Sequence, residues 1–195
     1  MAKLKTLEEA FYEGLKDIYY AERTSVRALK KAAKAAQLPE LKEALEKHGE
    51  ESAHQIERLQ QVFEVIGRPA RGKTCEAIQG LMGEMEEHLE EFQGSEAADA
   101  VLISSAQAME HYEIARYGTL KTWARQLGLE DAANLLDETL QEEKKTDELL
   151  TQVAENSANQ AGDQASGDEE SEDEPEDMEG DEAEGKQPAK KAAKK

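Results

Sequence analysis

The chain has 195 residues, with 44 acidic side chains against 24 basic ones and a formal net charge of −20, a balance that argues against a general nucleic-acid binder and against attraction to anionic lipid. Hydrophobic residues make up 38% and aromatics 5%, which is thin for the length. From Ser157 to Lys195 there are 13 acidic and 5 basic residues, a net of −8 that leaves −12 for residues 1–156, where nearly all the core-forming side chains lie.

Good helix formers dominate the body and β-branched runs are absent, so the expected fold class is all-α. Leu7, Phe11, Leu15, Ile18, Val26 and Leu29 recur at helical spacing and predict a first helix over about 5–36. Leu41, Leu45, Ile56, Leu59, Phe63 and Ile66 predict a second over about 39–66, opened by Pro39 near its first turn. After the Gly67, Pro69 and Gly72 loop comes a shorter segment, about 74–92, weakened by Gly80 and Gly83. A long helix over about 96–127 ends at Gly128, and a last one covers about 130–156. About 30 residues separate the second long helix from the third, which predicts a four-helix bundle with a crossover that carries the extra short helix.

The chain divides into a helical domain, 1–156, and a C-terminal tail, 157–195, acidic first and lysine-rich from Lys186. Like charges at that density repel and little apolar surface offsets the ordering entropy, so the tail is expected to be disordered. No apolar run approaches the ~20 residues of a membrane span, and the start MAKLKTLEEAFYEGLKDIYY lacks the apolar stretch and cleavage site of a secretory signal. A lone cysteine, Cys75, excludes an internal disulfide framework and a cysteine-built zinc site. The expected setting is the reduced cytoplasm.

Acids inside apolar stripes carry the functional signal. On the first helix the series 7, 11, 15, 18, 22, 26, 29 is apolar except at Glu22. On the second, the series 41, 45, 48, 51/52, 55, 59 places His48 and Glu51 in the stripe, with Gln55 one turn on. The third long helix places Glu110 and Glu113 in its stripe, and the last places Glu143 and Asp147 between leucines. Several buried carboxylates without partners would exceed the roughly 5–15 kcal/mol stability of a domain. Carboxylates and imidazoles on facing helices form bundle-core sites for two iron or manganese ions. The ligand set read this way is Glu22, Glu51, Glu110 and Glu143, with Glu113, Asp147 and a histidine. His54 completes Glu-x-x-His with Glu51 and is the favoured imidazole, with His48 as the alternative; His88 and His111 read as surface or packing residues. Tyr19, Tyr112 and Tyr117 lie near these positions and read as packing aromatics, with hydrogen-bond donors or electron relays as the alternative.

EHYEIARYGTL (Glu110–Leu120), LG with AANLL (Leu127–Leu136) and TLQEEKKTDELL (Thr139–Leu150) resemble the YciF/YciE family of the ferritin-like superfamily. DIYYAE (Asp17–Glu22), HGEESAHQIERL (His48–Leu59) and KTCEAIQGLMGE (Lys73–Glu84) fit the same family. The resemblance implies a ferritin-like bundle of four long helices and a short one, a homodimer, and a link to bacterial stress responses. By superfamily analogy it maps di-metal ligands onto Glu22, Glu51, Glu110, Glu113 and Glu143, and the 33-residue interval between Glu110 and Glu143 matches the usual pattern. One departure stands out: Glu143 is followed at the third position by Thr146, where that pattern has histidine, leaving Asp147 as a substitute oxygen ligand. The loss makes the site richer in oxygen, which suits manganese or ferric iron. The expected function is a di-metal protein that oxidises iron or consumes peroxide or O₂; the alternatives are a non-catalytic helical dimer and a role carried by the tail.

Overall fold

The computed structural model describes residues 5–164. Its helices are α1 (Leu7–Ala35), α2 (Pro39–Val65), α3 (Glu76–Glu91), α4 (Ala98–Gln126) and α5 (Glu130–Val153), within one or two residues of the sequence reading except at the last end. Among the described residues there is no strand. Local chemistry fixes several boundaries. Thr6 and Glu9 form a reciprocal capping box that starts α1. Gly128 takes φ 73° after α4, a left-handed conformation in which a side chain would be strained.

The start of α2 has no side-chain cap of its own. Instead Asp99, in the first turn of α4, accepts the Gln37 and Leu38 amides at 2.9 and 2.6 Å. That contact gives acceptors to two backbone amides in the link that leads into α2. It also puts the start of α4 beside the end of α1.

Cross-helix pairs give the directions. Glu22 meets Tyr117 and Ser25 meets Glu113, so α1 and α4 are antiparallel. His48 meets Thr146 and Arg58 meets Thr139, so α2 and α5 are antiparallel as well. Hence α2 and α4 run the same way, and the segment with α3 carries the chain back along the bundle, the crossover the sequence predicts. Gly14 marks a close approach of α1 to α4: a Cβ there would lie 2.9 Å from Leu120 Cδ2. Phe11, Leu15, Ile18, Leu41, Leu59, Phe63, Leu120 and Leu136 are among the fully buried core residues. Phe63 stands edge-on to Tyr12 and Tyr19.

The end of the helical unit differs from the expectation of about 156. Beyond α5 the chain passes through a π-helical turn, Ala154–Ala158, into α6 (Asn159–Gln164). Tertiary contact explains the extension: Ala158 is fully buried, Ser157 Oγ donates to Glu40, and Gly162 lies close against Ala97. The rest of the tail, 165–195, lies outside the described residues. No helix among the described residues is long and apolar enough to cross a membrane.

Candidate metal centre

Each long helix turns a pair of polar side chains, three residues apart, into the bundle interior. The pairs are Glu22 and Ser25 on α1, Ser52 and Gln55 on α2, Glu110 and Glu113 on α4, and Glu143 and Thr146 on α5, all buried. Spacing of three puts both members on one helix face, one turn apart. His48, one turn before Ser52, and Tyr117, one turn after Glu113, join the same interior and are buried too.

His48 stands at the centre. Its Nε2 lies 2.9 Å from Glu110 Oε1 and 3.7 Å from Glu143 Oε2, and its Nδ1 lies 3.2 Å from Thr146 Oγ1. Ser25 Oγ donates to Glu113 Oε1 at 2.9 Å, and the Tyr117 hydroxyl donates to Glu22 Oε1 at 2.6 Å. One ligand-capable atom from each of His48, Glu110, Glu113 and Glu143 lies within 4.8 Å of all the others. These partners do not satisfy the acids. Glu22 Oε2, Glu110 Oε2 and both Glu143 oxygens have no hydrogen-bond partner.

The electrostatics follow from that confinement. Burial pushes the Glu22 carboxyl up to about 7, against the Tyr117 hydrogen bond that favours its charge. Burial and then the neighbouring carboxylates push Glu113 and Glu143 well above the usual range. For His48 burial works to lower the pKa, but Glu110, by charge and hydrogen bond, and Glu51 outweigh it and raise it to about 10. Burial, and then the Glu22 charge, also hold the Tyr117 hydroxyl in its protonated form. Burial therefore favours protons on Glu22, Glu113 and Glu143, while the surrounding acids favour a proton on His48. A divalent ion offers those orphaned oxygens the positive partner they lack. One imidazole with several carboxylates is a donor set suited to iron, manganese or zinc, so the cluster could hold a metal ion.

On two helices the structure places sequence-derived candidates outside the buried cluster. His54 is exposed, and His48 supplies the buried imidazole instead. Glu51 is 34% exposed, held by Lys47 at 3.6 Å and 3.9 Å from His48 Nδ1, at the margin of the cluster. Asp147 also points elsewhere, accepting hydrogen bonds from Gln107 and pairing with exposed His111 at 3.1 Å. Thr146, not Asp147, faces the interior. By contrast, Glu22, Glu110, Glu113 and Glu143 are all buried on the faces their apolar stripes assigned. Ser25 and Ser52 went unread; the available signal was a small hydroxyl side chain inside an apolar stripe. Among the tyrosines only Tyr117 reaches an acid of the interior by hydrogen bond. Tyr19 accepts from Gln60, and Tyr112 pairs with Cys75 Sγ at 2.9 Å.

The family described as a domain of unknown function, DUF892, matches residues 6–162. The chain belongs to the DUF892 family. This DUF892 chain is 46% identical over 157 residues to the protein YciF of Escherichia coli strain K12, across 80% of this chain and 95% of that protein. The crystal structure of the E. coli stress protein YciF superposes with a TM-score of 0.77, covering 80% of this chain and 99% of that one. YcfI of Rhodopseudomonas palustris is 43% identical and superposes at 0.75, covering 77% and 96% of the two chains. A Xanthomonas campestris pv. campestris protein, XCC3681, is 22% identical at a TM-score of 0.66 and shares the fold, covering 83% of this chain and 99% of its own. The DUF892 match ends at residue 162, within the α6 extension and short of the acidic segment.

Proposed function

We propose that this protein is a metal-binding ferritin-like bundle that takes iron or manganese into its core and acts in the oxidation of iron or the consumption of peroxide or O₂ under stress. The observation that carries the reading is the set of orphaned carboxylate oxygens on Glu22, Glu110 and Glu143 beside His48. His48, Glu110, Glu113 and Glu143 would hold the ion, with Glu22 beside them. A bound redox-active ion supplies the electrons for reduction of O₂ or peroxide.

The residues of the chain do the rest. Glu22, Glu113 and Glu143 keep protons in the metal-free state, and a cation that enters must displace them, so binding releases protons and tightens as pH rises. Tyr117 and Ser25 fix one oxygen each of Glu22 and Glu113, which leaves the second oxygen of Glu22 free to turn to an ion. Two copies of the chain acting as a cytoplasmic homodimer fit this reading, as does a stress role like that named for the E. coli relative.

A second reading is favoured by one contact set. His48, charged at neutral pH, lies between Glu110 and Glu143 and bonds Thr146, so the imidazolium itself neutralises part of the cluster. On that reading the interior is a structural polar core of a non-catalytic dimer. Metal analysis after aerobic purification, then Fe²⁺ titration with O₂ consumption, separates the two. Metal bound by the wild type and lost in Glu110→Ala supports the first; no metal in either supports the second.

A further inference from the structure

Positive charge is collected on one face of α1. From Arg23 to Pro39 the sequence has five basic residues and no acid. Arg23, Arg27, Lys30 and Lys34 are spaced by four, three and four, which puts them on one side of the helix, and all are exposed. The stripe is about 16 Å long. Elsewhere in the bundle cations sit against acids: Lys16 on Glu13, Arg58 on Glu142, Lys121 on Asp137. Beside the stripe, Lys31 reaches Glu86 at 3.1 Å, but among the described residues no carboxylate pairs with Arg23, Arg27, Lys30 or Lys34. A helix C-terminus favours cations only in its last turn, which accounts for Lys34 and not for Arg23 and Arg27.

A counter-charge lies close by in the same chain. Beyond α5 the chain is seated, through Ser157 on Glu40 and Gly162 on Ala97, at the end of the bundle where α1 stops and α4 starts. Lys34 and Ala98, the residue after Ala97, line one pocket there. The described chain ends two residues past Gly162, at Gln164. Asp168 to Glu184 then holds 12 acids and no base in 17 residues, and it lies beyond the DUF892 match. The first of those acids is four residues from Gln164, about 13 Å of extended chain. Fully extended, the run spans about 55 Å, more than enough to follow the stripe from Lys34 to Arg23. Acids flank the stripe: Glu46 and Glu50 of α2 across the groove that Lys30 and Lys34 line, and Glu90 of α3 beside Lys31 and Lys34. Like charge on both sides confines a negative segment to α1.

We propose that the stripe Arg23, Arg27, Lys30 and Lys34 is a docking surface for the acidic segment 168–184 of the same chain. Docking of this kind is independent of what the interior holds. Single exposed ion pairs contribute little each. Attachment at Gln164 gives the segment a local concentration in the millimolar range, so several weak pairs act together. No fixed set of partners is required, since 12 acids exchange over four cations. Docked there, the segment closes the stripe to other polyanions, which gain access only by displacing it. Added salt releases it, because charges at a surface are screened beyond about 8 Å at physiological ionic strength.

The test uses full-length chains, half of them labelled with ¹⁵N, treated in low-salt buffer with a carbodiimide, which joins an amine to a carboxylate in contact with it. Mass spectrometry then identifies the linked peptides. Links from Lys30 and Lys34 to 168–184 are expected on the order of tenfold more often than links from Lys144 and Lys145, which are exposed on α5. They are expected only between like-labelled peptides, and to fall to that background in about 0.5 M NaCl. Arg23→Gln combined with Arg27→Gln keeps both reporting lysines and is expected to reduce their links about threefold or more, with circular dichroism confirming the helices. Links no more frequent at Lys30 and Lys34 than at Lys144 and Lys145 would overturn the proposal, as would links unaffected by the double substitution. Links formed as often between differently labelled peptides as between like ones would overturn it in favour of a second copy as the occupant.

Discussion

Tyr117 donates its hydroxyl proton to Glu22 across 2.6 Å, in a region of the bundle that neither side chain shares with solvent. The bond ties α4 to α1 at the level of the acids and supplies one of the few donors available to a buried carboxyl. Replacing Tyr117 with Phe keeps the ring and deletes the donor. The expected loss is about 1–3 kcal/mol in denaturant unfolding of the metal-free protein, with the Glu22 carboxyl driven further up because the contact that favours its charge is gone. Unchanged stability would mean that the hydroxyl does not support Glu22 in solution.

The metal-free protein should lose stability as the pH rises, the reverse of ordinary acid denaturation. Burial lifts Glu22 from its usual 4.5 to about 7, and the surrounding acids, against burial, lift His48 from 6.5 to about 10. Between those unfolded and folded values the native chain holds the extra protons. The stability from Glu22 is therefore fully present below 4.5 and lost through about 7, and that from His48 is lost between 6.5 and about 10. Glu51, held below its usual value mainly by His48, acts the other way and loses its contribution as pH falls. Each excess native proton is worth about 1.4 kcal/mol per pH unit. Thermal scans in chelator should give a lower Tm at pH 8 than at pH 5.5, and saturating Mn²⁺ should shrink that difference because the ion takes the place of the protons. A Tm that climbs over this interval in chelator contradicts the buried, protonated cluster.

The two histidines of α2 should behave oppositely. His48→Gln removes the only imidazole of the cluster and is expected to lower bound metal per chain and weaken its retention on dialysis at least tenfold. His54→Gln, at an exposed position, should leave metal content and Tm at wild-type values. Metal analysis of the two variants side by side checks this, and loss of metal in the His54 variant alone would restore the Glu51-x-x-His54 assignment.

Asp99 links the α1–α2 turn to the start of α4 through two backbone amides. Asp99→Ala leaves both amides without this acceptor, and the expected cost is about 1–2 kcal/mol. Chemical denaturation measures it, and Asp99→Asn should recover part of the loss because one amide oxygen still accepts. If the alanine variant unfolds at the wild-type midpoint, the two amides are satisfied by water.

Much of the architecture is written locally. Leu7, Phe11, Leu15 and Ile18 repeat at helical spacing, Pro39 stands at the start of α2, and Gly128 breaks the chain after α4 where a positive φ is needed. The acids of α1, α4 and α5 are legible for the same reason. Glu22, Glu110, Glu113 and Glu143 sit in stripes whose other members are mostly apolar, so each helix has one face that can be buried.

On α2 the pattern is ambiguous, because polar residues occupy the stripe from 48 to 55 and position 51 or 52 serves the periodicity equally well. Successive residues turn about 100° around a helix axis, so His48 and His54 face directions about 120° apart and only one can enter the core. The sequence by itself determined the helices, the crossover and the burial of four acids, since periodicity and backbone geometry are local properties. The rotation of α2 against α1 and α5 decided that His48, Ser52 and Gln55 go in while Glu51 and His54 stay out. The extension through α6 was decided the same way, by the burial of Ala158 and the seat of Gly162 on Ala97. Those choices rest on contacts between residues far apart in the chain, where the fit of one helix into its neighbours outweighs what any single stripe prefers.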